Sequence, residues 1–475
     1  MPNKPAGIVS FGACLPRYRL PREVISRHWG QTPGKGEKAV ANFDEDSFTM
    51  AFEAATNCFE GPGATALRND TRFACFASTS PPYHEKTGAG LLATALDLDR
   101  ACRTFDSGNT LRAATSALLA GVDAIQAGST ACALIAAADI RPAEPKSATE
   151  LALGDGAAAL ILGTDQCLAT LEGHVSINDE FLGTWRRNTD SYVQQFPGGF
   201  ENKFGYQRVL RESISALLAR MNLNPLDITN LILYSPNARA PQAVARGLEM
   251  DPKGQLADAM LGTLGDTGCA QVLLTLIRVL ETAMPGDRIL VASYGDGSDA
   301  LLFRVTEAIE AHRNRRAVSH YLNRRRPMES YGKYALFRNV IKTDPVPGTS
   351  SPVVLWRETR QDLQFYGEKC AKCETVQFPR QRVCVSCGAK DDFTDQKLAR
   401  RGTVHTFTND FLHPSLDPPT TEAIINVDGG GRVLLQMTDA DPDQIRVGLE
   451  VDMVLRKLHE GGGIKNYFWK ARPRD

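Results

Sequence analysis

L-G-D-G-A-A-A-L-I-L-G at residues 153–163 and Y-G-D-G-S-D-A-L-L-F at residues 294–303 share one pattern, a Gly-Asp-Gly turn running into an apolar strand. The context repeats too. Each turn follows an apolar run, A-L-I-A-A-A-D (133–139) in the first case and D-R-I-L-V-A-S (287–293) in the second. Each run is preceded by a helical stretch that ends in a glycine turn, D-A-I-Q-A-G-S (123–129) and L-E-T-A-M-P-G-D (280–287). Matching helix, strand, turn and strand point to a duplicated fold, with pseudo-repeats over about 1–165 and 166–305.

Working outward, short β-rich runs at 6–11, 73–77, 131–137 and 157–162 alternate with Ala/Leu-rich helical spacing such as 111–126. Such alternation predicts an α/β domain with buried strands. The chain of 475 residues is too long for one core, which implies further domains. A formal net charge of −1 gives no electrostatic reason to expect nucleic acid or an anionic membrane. No apolar run reaches the roughly 20 residues of a membrane span, and the N-terminus lacks a signal peptide's apolar run, so the expectation is a cytoplasmic protein.

Beyond residue 305 the texture changes. A-H-R-N-R-R-A-V-S-H-Y-L-N-R-R-R (311–326) is basic and amphipathic, and T-D-P-V-P-G-T-S-S-P (343–352) is Pro/Ser/Gly-rich. Residues 306–352 are therefore expected to be a helical connector and linker, with a solvated helix face. Of the eleven cysteines, seven are scattered through the first 270 residues and read mostly as small buried hydrophobes. Cys370, Cys373, Cys384 and Cys387 form two C-x-x-C pairs, ten residues apart. Each pair can hold one side of a tetrahedral ion, Zn²⁺ or iron. Four cysteines leave no open coordination position, so the predicted role is structural. A metal ribbon over 353–390 is followed, over 391–475, by short strands that suit a small β-barrel.

The order of motifs resembles the thiolase superfamily, most closely its 3-hydroxy-3-methylglutaryl-CoA synthase and ketoacyl synthase III branch. The resemblance is carried by G-I-V-S-F-G-A-C-L-P-R-Y (7–18), A-A-A-D-I-R (136–141), W-R-R-N-T-D-S-Y (185–192), L-Y-S-P-N-A-R-A-P (233–241) and the two Gly-Asp-Gly turns. It implies a five-layer αβαβα domain over 1–305 that acts on CoA thioesters and forms a homodimer or dimer of dimers. The C-terminal part resembles the rubredoxin-like zinc ribbon and OB-fold that accompany many acyl-CoA thiolases and synthases. This combination implies a structural Zn²⁺, with a hydratase or dehydrogenase as a possible partner.

Departures from the family pattern matter as much. Setting its A-C-Y-G-G-T-A-A-L stretch on Thr115–Leu118 puts Leu111 where the nucleophilic cysteine would be. Its histidine falls on Tyr234, its asparagine on Asp266 and its glutamate near Thr79. Without the thiolate no acyl group is held covalently. What can persist is an aldol or retro-aldol reaction on a β-hydroxyacyl-CoA, with Tyr234, Asp266 and Tyr294 as proton-active candidates. A carboxylate in an apolar cleft would have a raised pKa. The bland alternatives are a packed tyrosine and, for Asp266 in D-T-G-C, a helix cap. Two covalent alternatives remain for a synthase or acyltransferase: Cys269, expected near a helix N-terminus that would lower its thiol pKa, with a small buried residue at a close-packed turn as its bland reading, and Ser107. A non-catalytic CoA-binding scaffold is the third reading. Arg186, Arg187 and Lys203 are the candidates for the CoA phosphates, with solvated surface cations as the alternative.

Overall fold

The computed structural model describes residues 4–60, 63–196, 198–313, 315–343 and 348–474. Two compact units are present, one of Met1–Ala41 and Asp46–Tyr334, the other of Asn42–Glu45 and Ala335–Asp475.

In the first unit, β1 (Gly7–Cys14), β2 (Thr71–Ala77), β3 (Arg103–Ser107), β4 (Cys132–Asp139) and β5 (Gly156–Gly163) lie in the order β1-β5-β4-β2-β3. The second half repeats the plan. Its strands β6 (Ala169–Asn178), β7 (Asn230–Leu233), β8 (Arg288–Tyr294) and β9 (Gly297–Val305) lie in the order β6-β9-β8-β7. Strand β5 is antiparallel to β1 and β4, and β2 is parallel to β4. Likewise β9 is antiparallel to β6 and β8, and β7 is parallel to β8. Order and sense agree, so the duplication read from the two turns is structural. The half-sheets join edge to edge where Gly7 and Ile8 of β1 pair with Thr170 and Ala169 of β6.

Helix α1 (Ser47–Cys58) packs on β1, β4 and β5, and α3 (Arg208–Met221) packs on β6, β8 and β9. Helix α2 (Ala113–Gln126) enters β4, while α4 (Gln271–Leu280) packs on strands of both half-sheets. A capping box starts α1: the Thr49 amide donates to the Asp46 carboxylate (2.9 Å), and the Asp46 amide donates to Thr49 Oγ1 (2.9 Å). Strands β4 and β5 are buried at every residue, as expected for strands covered on both faces.

The connector differs from expectation. A 3₁₀ turn (Glu307–His312) and two short helices (Val318–Asn323 and Tyr331–Phe337) make up its helical part, and polar groups expected on a solvated face bond inward. Arg315 donates to Ser10 Oγ (2.5 Å) and to the Glu60 carbonyl (2.9 Å), and Asn57 Nδ2 donates to the Tyr321 hydroxyl (2.8 Å). Basic side chains that looked like a solvated face instead tie this segment to the first unit, which ends at Tyr334. Asn314 of the basic run and residues 344–347 of the linker lie outside the described residues.

In the second unit, β10 (Tyr366–Cys370), β11 (Val376–Gln377) and β12 (Phe393–Lys397) form a small antiparallel sheet. Strands β13 (Arg401–Asp410), β14 (Thr420–Val427), β15 (Arg432–Gln436), β16 (Glu450–Gly461) and β17 (Ile464–Pro473) follow in the order β15-β14-β13-β16-β17. A bridge between Met437 and Ala471 brings the two ends of this sheet together as a barrel. Along β14, Thr421, Ala423, Ile425 and Val427 are buried in strict alternation, the period that a one-sided core requires. Among the described residues no helix is long and apolar enough to cross a membrane.

Candidate active site and metal centre

The second Gly-Asp-Gly turn is clamped to the start of α2. A Cβ on Gly295 would lie 2.6 Å from Thr110 Oγ1 and 2.9 Å from the Leu111 amide nitrogen, so only glycine allows this approach. The Gly295 carbonyl accepts from Thr110 Oγ1 (3.0 Å) and Arg112 Nε (2.8 Å). Arg112 also pairs with buried Asp299 (3.1 Å), which accepts from Thr115 and Ser116 of α2 as well. One element from each half thereby meets at a single cavity of about 870 Å³.

Leu111 and Tyr294 both line this cavity, as do Thr79, Ser107, Arg141, Arg186 and Glu201, and among the described residues no cysteine does. The Ser107 hydroxyl donates to the Ala113 carbonyl (3.0 Å) at the first turn of α2. Thr79 donates its amide to Asp139 (2.7 Å), and its buried hydroxyl has no hydrogen-bond partner among the described residues. Glu201 opens a π-helical turn (Glu201–Gln207) that continues into α3. Burial raises its carboxyl above the ordinary carboxylate range. Burial, and then the charge of Glu201, keeps the Tyr294 phenol protonated well above its usual pKa. Glu201 escaped the sequence reading because E-N-K-F-G-Y matches no motif. Its one local signal is the departure from α-helical geometry, often found at functional sites, which spacing cannot reveal.

Tyr234 and Asp266 are brought together, but neither is among the residues lining the cavity. The Tyr234 hydroxyl donates to Asp266 Oδ2 (2.8 Å), and Arg141 Nη1 meets the same oxygen (3.1 Å), with both members of that ion pair buried. Asp266 Oδ1 accepts from the Gly268 amide (2.9 Å), so the turn-capping role is present as well. The apolar cleft expected around Asp266 is instead a polar, fully partnered cluster. Burial works against the Arg141 charge, but Asp266, Tyr234 and Asp139 together hold its pKa above the ordinary value. Burial, followed by Asp266, raises the Tyr234 phenol. Of these three, Arg141 alone is among the residues lining the cavity.

Cys269 corrects an expectation. Its thiol is buried, donates to the Ala77 carbonyl (3.3 Å), and sits in a 3₁₀ turn (Gly268–Ala270) ahead of α4. Burial and then the neighbouring Asp139 raise its pKa rather than lower it. Asp139 is a hub missed by sequence reasoning. It accepts from Ser78 Oγ (3.1 Å), the Thr79 amide (2.7 Å), Ser80 Oγ (2.8 Å) and the Cys269 amide (2.9 Å). Asp139→Ala leaves these donors without their acceptor and is expected to cost about 3–5 kcal/mol. Urea denaturation would read this as a lower midpoint, and an unchanged midpoint would deny the hub its structural role.

Of the cationic candidates, Arg186 lines the cavity and donates to the Thr79 carbonyl (3.2 Å). Arg187 is exposed and paired with Asp190 (2.8 Å), and Lys203 lies over the Phe204 ring (5.0 Å). Neither is among the cavity residues.

In the second unit the four predicted metal ligands converge. The sulfurs of Cys370, Cys373, Cys384 and Cys387 all lie within 4.8 Å of one another, with Cys370–Cys387 at 3.7 Å and Cys373–Cys384 at 3.5 Å. A tetrahedron with metal–sulfur bonds of about 2.3 Å has edges of about 3.8 Å, so the set fits one ion. Each pair sits on a tight knuckle: Glu374 N donates to Cys370 O, Gly388 N donates to Cys384 O, and both Glu374 and Gly388 have positive φ.

Comparison with known proteins agrees with both units. The protein-family description "ChsH2, rubredoxin-like zinc ribbon domain" matches residues 357–393, and "ChsH2, C-terminal OB-fold domain" matches 395–456. A hydroxymethylglutaryl-CoA synthase of Aeropyrum pernix is 32% identical over 347 residues, 71% of this chain and 95% of the relative. One from Methanopyrus kandleri is 30% identical over 351 residues, 72% of this chain and 99% of the relative. Among solved structures, MvaS in complex with 3-hydroxy-3-methylglutaryl coenzyme A superposes with TM-score 0.62 at 19% identity, covering 74% of this chain and 95% of that one. The 3-oxoacyl-[acyl-carrier-protein] synthase III of Aquifex aeolicus gives TM-score 0.56 at 19% identity over 63% of this chain and 99% of that one. At such identity these two structures speak for the fold.

Proposed function

The chain belongs to the hydroxymethylglutaryl-CoA synthase family, and from that premise we propose that it makes or breaks a carbon–carbon bond beside a CoA thioester without an acyl-cysteine. One observation carries the reading: among the described residues no cysteine lines the cavity, and at the opening of α2 the wall is Leu111. A leucine holds no acyl group, but it leaves the non-covalent half of thioester carbon chemistry intact.

The reaction best matched to these side chains is aldol cleavage of a β-hydroxyacyl-CoA, or its reverse. In the cleavage direction Glu201 takes the proton of the β-hydroxyl. That oxygen's electron pair forms the new carbonyl, the Cα–Cβ bond breaks, and its pair moves into a thioester enolate. The proton taken by Glu201 is then delivered to the α carbon of the enolate, which restores the carboxylate. Tyr294, held as the neutral phenol, donates a hydrogen bond to the oxygen that becomes the carbonyl. The positive end of the α2 dipole, two residues beyond Leu111, faces the charge that develops on the enolate oxygen. Tyr234 and Asp266 are positioning residues for Arg141, which with Arg186 supplies positive charge at the wall for an anionic thioester.

The direct assay incubates the protein with β-hydroxyacyl-CoAs and traps the released aldehyde or ketone as a hydrazone. Carbonyl product and a shortened acyl-CoA are expected in equal amounts; no carbonyl release from any of them contradicts the aldolase reading. A second reading, condensation or acyl transfer as in the named synthase relatives, is favoured by the 30–32% identity to them. It requires a nucleophile, and of the two candidates from the sequence only Ser107 is on the wall.

For the second unit we propose zinc. Four thiolates without an open position suit a structural site, and the ribbon description that matches it names zinc.

A further inference from the structure

We propose that the acyl group carried by the substrate is apolar and long, and that it lies along an aromatic wall leading from the reacting end of the cavity to the surface. This inference rests on the acyl-thioester reading above and adds the substrate class.

The wall starts at Tyr294, which packs edge-on to Tyr206 with centroids 5.4 Å apart. Gly205 makes the next step possible: a Cβ there would collide with the Tyr294 hydroxyl and come within 3.2 Å of the Phe181 ring. Tyr294 and Phe181 therefore close over the same glycine. Phe181 stacks on Phe200 (5.7 Å), which contacts Phe204 (4.8 Å) and Phe196 (6.1 Å).

The inner members face the cavity, where Phe181 and Leu182 are joined by Val193 and Leu111. The outer members are open to solvent, with Phe200 at 54% and Phe204 at 46% exposure. Clustered exposure of this kind leaves unfavourable apolar hydration unless something covers it. A protein partner would cover the rim but has no use for the inner part of the row, which sits inside the cavity. An acyl chain bound with its thioester near Leu111 and Tyr294 covers both. Aromatic rings add rigid apolar area at low entropic cost, and an open outer end sets no sharp limit on chain length.

The test titrates the full-length protein with CoA, acetyl-CoA and octanoyl-CoA by calorimetry. Octanoyl-CoA carries six more methylenes than acetyl-CoA, each worth about fourfold when fully buried, so partial burial predicts at least about 30-fold tighter binding. A Phe200→Ala/Phe204→Ala variant is expected to lose at least about fivefold in octanoyl-CoA affinity. Its unchanged affinity for CoA would show that the variant is folded. Equal affinity of the wild type for acetyl-CoA and octanoyl-CoA overturns the inference, as does an unaltered octanoyl-CoA affinity in the variant. In either case a change in solution mass of the variant would assign the rim to a second copy or another protein. Failure to bind even CoA overturns the acyl-thioester reading itself, and this inference with it.

Discussion

Glu201→Gln lowers kcat for cleavage of a β-hydroxyacyl-CoA by about 10²–10⁴-fold, the range expected when a positioned proton acceptor is removed. Glutamine keeps the shape of the side chain but not its basicity, so KM is expected to move little. The pH profile separates this from a packing defect. Burial raises the Glu201 carboxyl, and the carboxylate is the active form, so kcat falls as pH drops through a value above the ordinary carboxylate pKa. The variant is expected to lose that acid limb together with its rate. If the limb and most of the rate survive, the base is another group. Tyr294→Phe should cost less, because a hydrogen-bond donor is lost and the proton acceptor is retained.

Removal of the metal has the other large effect, on stability rather than turnover. The buried apolar cluster beside the knuckles consists of Cys370, Cys384 and Ala389 with Phe393 packed against it. So small a core cannot repay the chain entropy of ordering the ribbon, and the metal–thiolate bonds must supply the difference. Structural zinc contributes about 10–16 kcal/mol in small zinc modules. Chelation, or Cys384→Ser, is therefore expected to unfold the Tyr366–Lys397 segment and expose its lysines and arginines to trypsin. Elemental analysis should find about one zinc per chain in the wild type and little in the variant. A resistant segment without metal would make the four cysteines dispensable, and iron in place of zinc would correct the metal's identity.

The fold was legible where chemistry is local. Gly154–Asp155–Gly156 and Gly295–Asp296–Gly297 open the corresponding strands β5 and β9 of two half-sheets with matching order, and runs such as A-C-A-L-I-A-A-A (131–138) read as buried strands. The metal centre was legible because both ligand pairs are contiguous in sequence. The connector was not, because the partners of its basic and polar groups (Ser10, Glu60, Asn57) lie hundreds of residues away. The site was half legible. Tyr294 announced itself beside a glycine turn and lines the cavity. Tyr234 and Asp266 were found as a pair, but not their burial under Arg141. Glu201 reaches the cavity through a π turn, and Asp139 gathers donors from two distant segments. Both are consequences of tertiary packing, and no spacing rule encodes them.

The claim that turnover here is non-covalent is tested most directly by intact-mass measurement after brief mixing with acetyl-CoA and longer acyl-CoAs. The geometry predicts an unmodified mass while the thioester binds, because the cavity offers no thiol and Cys269 is buried with a raised pKa. A stoichiometric acyl adduct, mapped by peptide analysis to Ser107 or Cys269, would contradict the account and return the protein to the acyl-transfer chemistry of its synthase relatives.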